Sequence, residues 1–384
     1  MKVAVTTLAF CVTSLLALGL VMLYSSSMVM VDRHTHSAIG AHMLQMQMIW
    51  CVLGFVACVI VTALDYQQLR RFALTIFVAT VGVAGLVFVP HVGMQLNGAH
   101  RWIRLPGATL QPSELLKVAL IIMVAWYGDL SQRKMNTFLR GVLIPGAIIA
   151  VALAVVFVEP DRGTTILLAL VGGTMLMISG VRWLHIIPPA LVAGAGLVYS
   201  LTHDSMRSGR ISAWLHPEAH ASGAAMQAEQ AKIAIGSGGW TGLGLGDGRQ
   251  KLGFVSEIQS DFIFANIGEE LGLVATLLVI LAFLLIAVCG IYIAYRARDH
   301  FGCLLAMGVT SLISYQAIIN IGVVTSVFPN KGLALPFISA GGSSLLAMLI
   351  GVGILMSVAR QAAPAKAFAP EIMADDNPFA ARAT

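Results

Sequence analysis

The sequence predicts an all-α polytopic membrane protein of about ten transmembrane helices, and three observations carry that prediction. Of 384 residues, 58% are hydrophobic and only 11% charged, whereas an average soluble domain carries roughly a quarter charged residues. Mean hydropathy is +0.86. The apolar runs are long and continuous, whereas the strands of a transmembrane barrel alternate over roughly ten residues. Together these exclude an ordinary soluble enzyme, a disordered chain and a secreted disulfide scaffold.

The first run, 4–24, follows Lys2 and has the look of a signal peptide. It is long enough to span, and no small-residue cleavage site follows cleanly, so it is read as a retained helix. Further runs lie at 44–64, 72–90, 113–128, 141–158, 163–180, 184–202, 262–294, 301–322 and 340–359. The eighth is long enough to tilt, bend or project beyond the bilayer. Residues 1–360 form one integral membrane domain on this reading, and 361–384 a disordered cytoplasmic tail. The five cysteines fall in or beside apolar runs with no Cys-x-x-Cys, as small core residues do.

Lysine and arginine orient the stack. Lys2, Arg70, Arg71, Arg133, Lys134, Arg140, Arg182, Arg296, Arg298 and Arg360 lie on alternate sides of successive spans and so share one face. The positive-inside rule makes that face cytoplasmic and places both termini there. The net charge of +5 is thus scattered over span ends, which argues for membrane anchoring and against nucleic acid. The opposite face holds 25–43, 91–112, 159–162, a large loop 203–261 between helices 7 and 8, and 323–339. Polar residues not needed for topology concentrate there, out of reach of cytosolic ATP.

Asn97–Lys117 opens that face. Trp102 between Arg101 and Arg104 suits the headgroup level, either as an interfacial anchor or as a phosphate contact. Gln111-Pro112-Ser113-Glu114 reads as a helix start, with Pro in the first turn and an acid complementing the dipole. Capping explains Glu114 but not Lys117, a charge one turn inside a span on the same helix face. In Glu159-Pro160-Asp161-Arg162, Asp161 reads as an N-cap, and Arg162 as a turn residue or a diphosphate ligand. The Gly-rich stretch Gln227–Lys251 lacks the Gly-Lys-Ser/Thr ending and βαβ context of a nucleotide site. Its glycines instead permit tight turns, with amides available to an anion.

Asp261 reads as an N-cap of the eighth span or as a functional acid. Glu269 and Glu270 fall deeper, where ionisable groups face the protein interior or water. Gln316 and Asn320 form an i, i+4 pair suited to joining helices, and Lys331 is a cation at the outer membrane edge. His216 and His220 have ligand spacing, but Pro217 separates them and no third ligand is evident.

Taken together, these segments resemble the SEDS family (shape, elongation, division and sporulation) over about residues 10–360. Asn97–Lys117, Gln227–Lys251, Asp261–Gly272 and Leu335–Ser344 match in order. The Asn97–Ile103 opening, Gly268–Gly272 and Leu335–Ser339 resemble the division (FtsW) branch more than the elongation (RodA) branch. Gln259 stands where the family usually has histidine, and Ala340 where it usually has tyrosine.

The resemblance implies a peptidoglycan glycosyltransferase that polymerises lipid II, the undecaprenyl diphosphate-linked disaccharide pentapeptide, by inverting displacement of the lipid diphosphate. It implies work at the outer face of the bacterial cytoplasmic membrane, at the division septum, beside a class B penicillin-binding protein and other division proteins. Asp261 is the implied catalytic residue. The implied substrate contacts are Arg101, Gln111, Glu114, Lys117, Asp161, Arg162, Gln230, Lys331 and Ser343. No organic cofactor is expected, and a divalent cation, magnesium or manganese, is a candidate. Two rivals stand beside this reading: a lipid II transporter dependent on Glu269, Glu270 and Gln316, and a non-catalytic division scaffold.

Overall fold

The computed structural model describes residues 1–27, 39–89, 92–96, 99–105, 108–202, 209, 212, 214, 224–250 and 259–362. Helices occupy each of the ten expected places: α1 (Lys2–Ser27), α2 (Ile39–Ala63), α3 (Tyr66–Gly85), α4 (Pro112–Leu130), α5 (Ile144–Val158), α6 (Arg162–Ile178), α7 (Trp183–Thr202), α9 (Ile263–Tyr295), α10 (His300–Val324) and α11 (Gly342–Gln361). A further helix, α8 (Ala224–Ser237), lies within the 203–261 loop. Among the described residues seven helical runs, namely α1, α2, α3, α5 together with the π-helical turn Leu139–Leu143 that leads into it, α9, α10 and α11, are long and apolar enough to cross a membrane. α6 and the Trp183–Gly196 part of α7 are apolar but shorter. α4 carries Glu114, Lys117 and Asp129 within 19 residues.

Burial explains how α4 tolerates those charges. It packs against α3, α5, α6, α10 and α11, and nearly all of it is buried, Lys117 completely. A helix enclosed on all sides meets protein, not lipid. The peripheral helices show the reverse: Val52 and Phe55 on α2, and Leu277, Leu281 and Leu284 on α9, expose large apolar side chains.

Local sequence accounts for the boundaries. Asp65 caps α3 by accepting from the Gln67 amide at 2.8 Å, so that helix starts ahead of the apolar run, and the Tyr66 hydroxyl donates to Asp299 at 2.7 Å. Asp161 caps α6 as expected, accepting from the Thr164 amide at 3.0 Å. Asp261 does not cap α9: Phe262 holds that position without a side-chain bond.

The segment before α4 was expected to be a loop and is a small antiparallel sheet: β1 (Gly93–Leu96), β2 (Ala99–Leu105) and β3 (Ala108–Leu110), in that order. Ile103 pairs with both Gly93 and Leu110, and Arg104 with Thr109. Successive side chains on a strand face opposite ways, so Arg101 and Ile103 share one face of β2 while Trp102 and Arg104 share the other.

α9 is interrupted at Gly272, where φ is 76° and ψ is −172°, which gives the bend expected of this long run a definite place. The Gly-rich loop lies against that break. A Cβ on Gly242, itself at φ +83°, would stand 2.1 Å from the Glu270 carbonyl, and one on Gly238 would stand 1.9 Å from the Gly268 carbonyl. The tail from residue 363, His216, His220, Lys251, Glu257 and Asn97 lie outside the described residues.

Candidate functional site

α10 organises the polar cluster at the outer end of the bundle. Two turns of this helix present Gln316 and Asn320, both fully buried. Gln316 accepts from the Lys117 ammonium at 3.1 Å and donates to the Ala334 carbonyl at 2.8 Å. Asn320 donates to the backbone carbonyls of Asp261 and Leu333, at 2.9 and 2.6 Å. The pair expected to join helices therefore holds a loop, the base of α9 and a buried lysine to one another. Four residues of helix separate the two amides, about 6 Å along the axis.

Lys117 also donates to Glu114 at 2.7 Å. That pair is fully enclosed, so the lysine meets Glu114 and Gln316 rather than open space. The other oxygen of Glu114 has no partner among the described residues. Gln111, the residue before α4, donates to the Ser113 hydroxyl at 3.1 Å.

A second group forms where β2 meets the α5–α6 turn. Arg101 donates to the carbonyls of Glu159 (3.1 Å) and Pro160 (2.9 Å), and a third nitrogen lies 3.6 Å from Asp161. Asp161 also accepts from the Thr164 hydroxyl at 3.0 Å. Lys331 is a neighbour of this group: burial pushes its ammonium below the ordinary lysine range, Asp161 opposes the shift and Arg162 adds to it. Arg162 turns back onto α5, donating to the Phe157 carbonyl at 2.6 Å with its guanidinium over the Phe157 ring.

Asp261 is half-buried at the mouth of this arrangement. A Cβ on Gly332 would stand 2.5 Å from its carboxylate, so glycine is what leaves that carboxylate room. The Ser339 hydroxyl donates to the Ser260 carbonyl and accepts from the Leu335 amide at 2.7 Å. Gln47 on α2 bridges the Ser339 carbonyl and the Gly341 amide, at 3.3 and 3.2 Å.

The structure thus brings together Asp261, Glu114, Lys117, Arg101, Asp161 and Lys331, with Gln111 and Arg162 at the margin. Ser343 is buried in the first turn of α11, and Gln230 is half-buried on α8. Gln230 lies three residues beyond Gln227, which accepts from Asn330 at 3.3 Å. Trp102 and Arg104, on the far face of β2, line a different space: a cavity of about 570 Å³ bounded also by His42, Trp50 and Ala340. Sequence reasoning missed Gln47 and Ser339 as parts of the site. Gln47 left a faint signal, one of two amides with Gln45 in an apolar run.

Glu269 and Glu270 are differently placed. Glu269 accepts from the amides of Arg249 (2.8 Å) and Gln250 (3.3 Å). Glu270 accepts from the Gly246 amide (3.1 Å) and the Ser25 hydroxyl (2.8 Å). The anion met by the Gly-rich amides is the chain's own carboxylate pair. Among the described residues no three His, Cys, Asp or Glu are grouped to hold a metal ion.

The FtsW/RodA/SpoVE family, described as "Cell cycle protein", matches residues 6–363. "Probable peptidoglycan glycosyltransferase FtsW" of Trichlorobacter lovleyi is 40% identical over 347 residues, 90% of this chain and 91% of that protein. "Stage V sporulation protein E" of Bacillus subtilis is 35% identical over 346 residues, 90% of this chain and 94% of that one. A solved structure described as "Structural coordination of polymerization and crosslinking by a peptidoglycan synthase complex" matches with TM-score 0.74 and 24% identity, over 92% of this chain and 96% of that one. The Thermus thermophilus rod shape determining protein RodA matches with TM-score 0.67 and 23% identity, over 93% and 97%. At those identities the two structures speak for the fold.

Proposed function

The chain belongs to the FtsW/RodA/SpoVE family and is a multi-pass membrane protein, and from that premise we propose that it is a peptidoglycan glycosyltransferase of the division type. It polymerises lipid II at the outer face of the bacterial cytoplasmic membrane, at the septum, with a class B penicillin-binding protein as its partner. Both termini lie in the cytoplasm. The observation that carries the reading is the convergence of Asp261 and Lys117 on two amides of α10, beside the Arg101–Asp161 pair and Lys331.

The chemistry follows from those groups. The Asp261 carboxylate takes the proton of the acceptor sugar hydroxyl. That oxygen bonds to the donor's anomeric carbon as the bond to the diphosphate breaks, and the diphosphate leaves with the electron pair. Positioned base catalysis of this kind contributes about 10²–10⁴-fold. Lys331, Arg101 and Arg162 surround the leaving diphosphate with cations, which lowers the barrier by stabilising charge as it develops. Gln111 and Ser343 lie at the starts of α4 and α11, and Gln230 in the middle of α8, and these accommodate the sugar and peptide of the substrate. A divalent cation would be held by the Asp161 carboxylate together with the substrate's phosphates and would stabilise charge on the leaving diphosphate.

The transporter alternative depends on Gln316, which holds Lys117, and on the pair Glu269 and Glu270. Their engagement by backbone amides supports a structural task for them and favours the polymerase. The deciding experiment is polymerisation of labelled lipid II by the purified chain bound to its transpeptidase, with Asp261→Asn as the paired variant. Glycan strands from the wild type and none from a folded Asp261→Asn protein are expected. Wild-type yield from the variant would remove the base assignment.

A further inference from the structure

Glu159 is a buried acid to which the mechanism above gives no task. Its side chain is fully buried in the α5–α6 turn, and neither carboxyl oxygen has a hydrogen-bond partner among the described residues. The groups facing it come from three elements: Ser113 in the first turn of α4, where Glu114 and Lys117 follow, Arg101 on β2, and Asp161 in its own turn. Arg101 is occupied elsewhere, by two backbone carbonyls and by Asp161. The Ser113 hydroxyl already accepts from Gln111 and can offer at most its own proton. An ionised Glu159 would be a second negative charge next to Asp161, sharing one guanidinium. Buried carboxyls so placed keep their proton. Burial, with Asp161 adding to it and Ser113 and Arg101 opposing it, pushes Glu159 up to about 8.

We propose that Glu159 is a positioning residue that works as a neutral acid. In that form it leaves Arg101 paired with Asp161 and adds no negative charge where a lipid diphosphate must lie. Once ionised it competes with Asp161 for Arg101 and repels the anion. The inference rests on the reading that these outer-face cations hold a diphosphate.

The test has two arms. In the first, polymerisation by the full-length protein with its transpeptidase is followed across pH about 8. Wild-type activity is expected to fall above that pH through KM rather than kcat, by up to about tenfold per pH unit, the slope of a single ionisation. Glu159→Gln, which keeps the neutral shape, is expected to retain wild-type activity at neutral pH and to lose that limb. An unchanged alkaline limb in the variant, or a folded variant inactive at neutral pH, overturns the proposal.

The second arm needs neither catalysis nor the variant. A protonated-carboxyl infrared band of the wild type should titrate near pH 8, and farnesyl diphosphate affinity should weaken over the same range. Absence of the band, or affinity unchanged across that range, overturns the proposal even if Glu159→Gln does not fold. A titrating band in a protein that makes no glycan overturns the polymerase reading alone.

Discussion

Two acidic regions at the outer end of the molecule are built in opposite ways. Beneath the Gly-rich loop, Glu269 and Glu270 meet backbone amides of Gly246, Arg249 and Gln250. At the starts of α4, α6 and α9, Glu114 pairs with Lys117, Asp161 meets Arg101 and the Thr164 hydroxyl and amide, and Asp261 faces Gly332, while oxygens of Glu114 and Glu159 have no partner among the described residues. Amides are fixed by the fold, so a carboxylate saturated by them is a fastening between loop and helix. Side-chain partners can move, and unsatisfied oxygens retain capacity for an incoming group. The two regions thus differ in what holds their acids: loop amides and Ser25 in one, a lysine and an arginine in the other.

Asp261→Asn probes the chemical region most strongly. It should cut polymerisation by about 10²–10⁴-fold while thermal stability and partner binding remain, since the residue caps no helix. A matching loss of folding would erase the distinction between the two regions.

Lys117→Ala comes next. It leaves Glu114 buried and unpaired, which destabilises by about 3–5 kcal/mol. The paired change Glu114→Gln with Lys117→Met should restore stability without restoring activity. Recovery of both would make the pair purely structural. Thermal unfolding and glycan yield on the same preparations separate these outcomes.

In the fastening region, Gly242→Ala should cost about 3 kcal/mol through strain at positive φ and the clash with the Glu270 carbonyl. Glu270→Gln should cost about 1–3 kcal/mol. Both should leave activity per folded molecule intact. A stable Glu270→Gln protein with no polymerisation would move Glu270 into the chemical region.

The remaining effect is a pH slope in stability. Glu159 is raised in the folded state from 4.5 to about 8, so the folded form holds its proton where the unfolded form has lost it. The associated stability is fully present below about 4.5 and is lost as pH rises through about 8. Differential scanning of wild type against Glu159→Gln should show a melting temperature that declines over that window only in the wild type.

Much of this was readable beforehand. The apolar runs located every long helix because hydropathy is a property of neighbouring residues, and the caps at Asp65 and Asp161 are local in the same sense. The sheet at 93–110 was not read, because its seven-residue central strand is short and its alternation lies among charged residues that also suit a membrane interface. The order of the polar motifs identified the family, but it could not tell Glu269 from Glu114.

What the sequence by itself determined is the helical class, the approximate spans, the family and the set of outer-face residues worth testing. The tertiary structure alone decided that Lys117 and Asp261 meet the same helix, that Glu269 and Glu270 fasten a loop, and that Glu159 is sealed in beside Ser113, Arg101 and Asp161. The physical reason is range. Helix formation and capping act over a few residues, whereas the bonds that make the site join positions 199 and 59 residues apart, and such pairings exist only once the packed bundle brings those positions together.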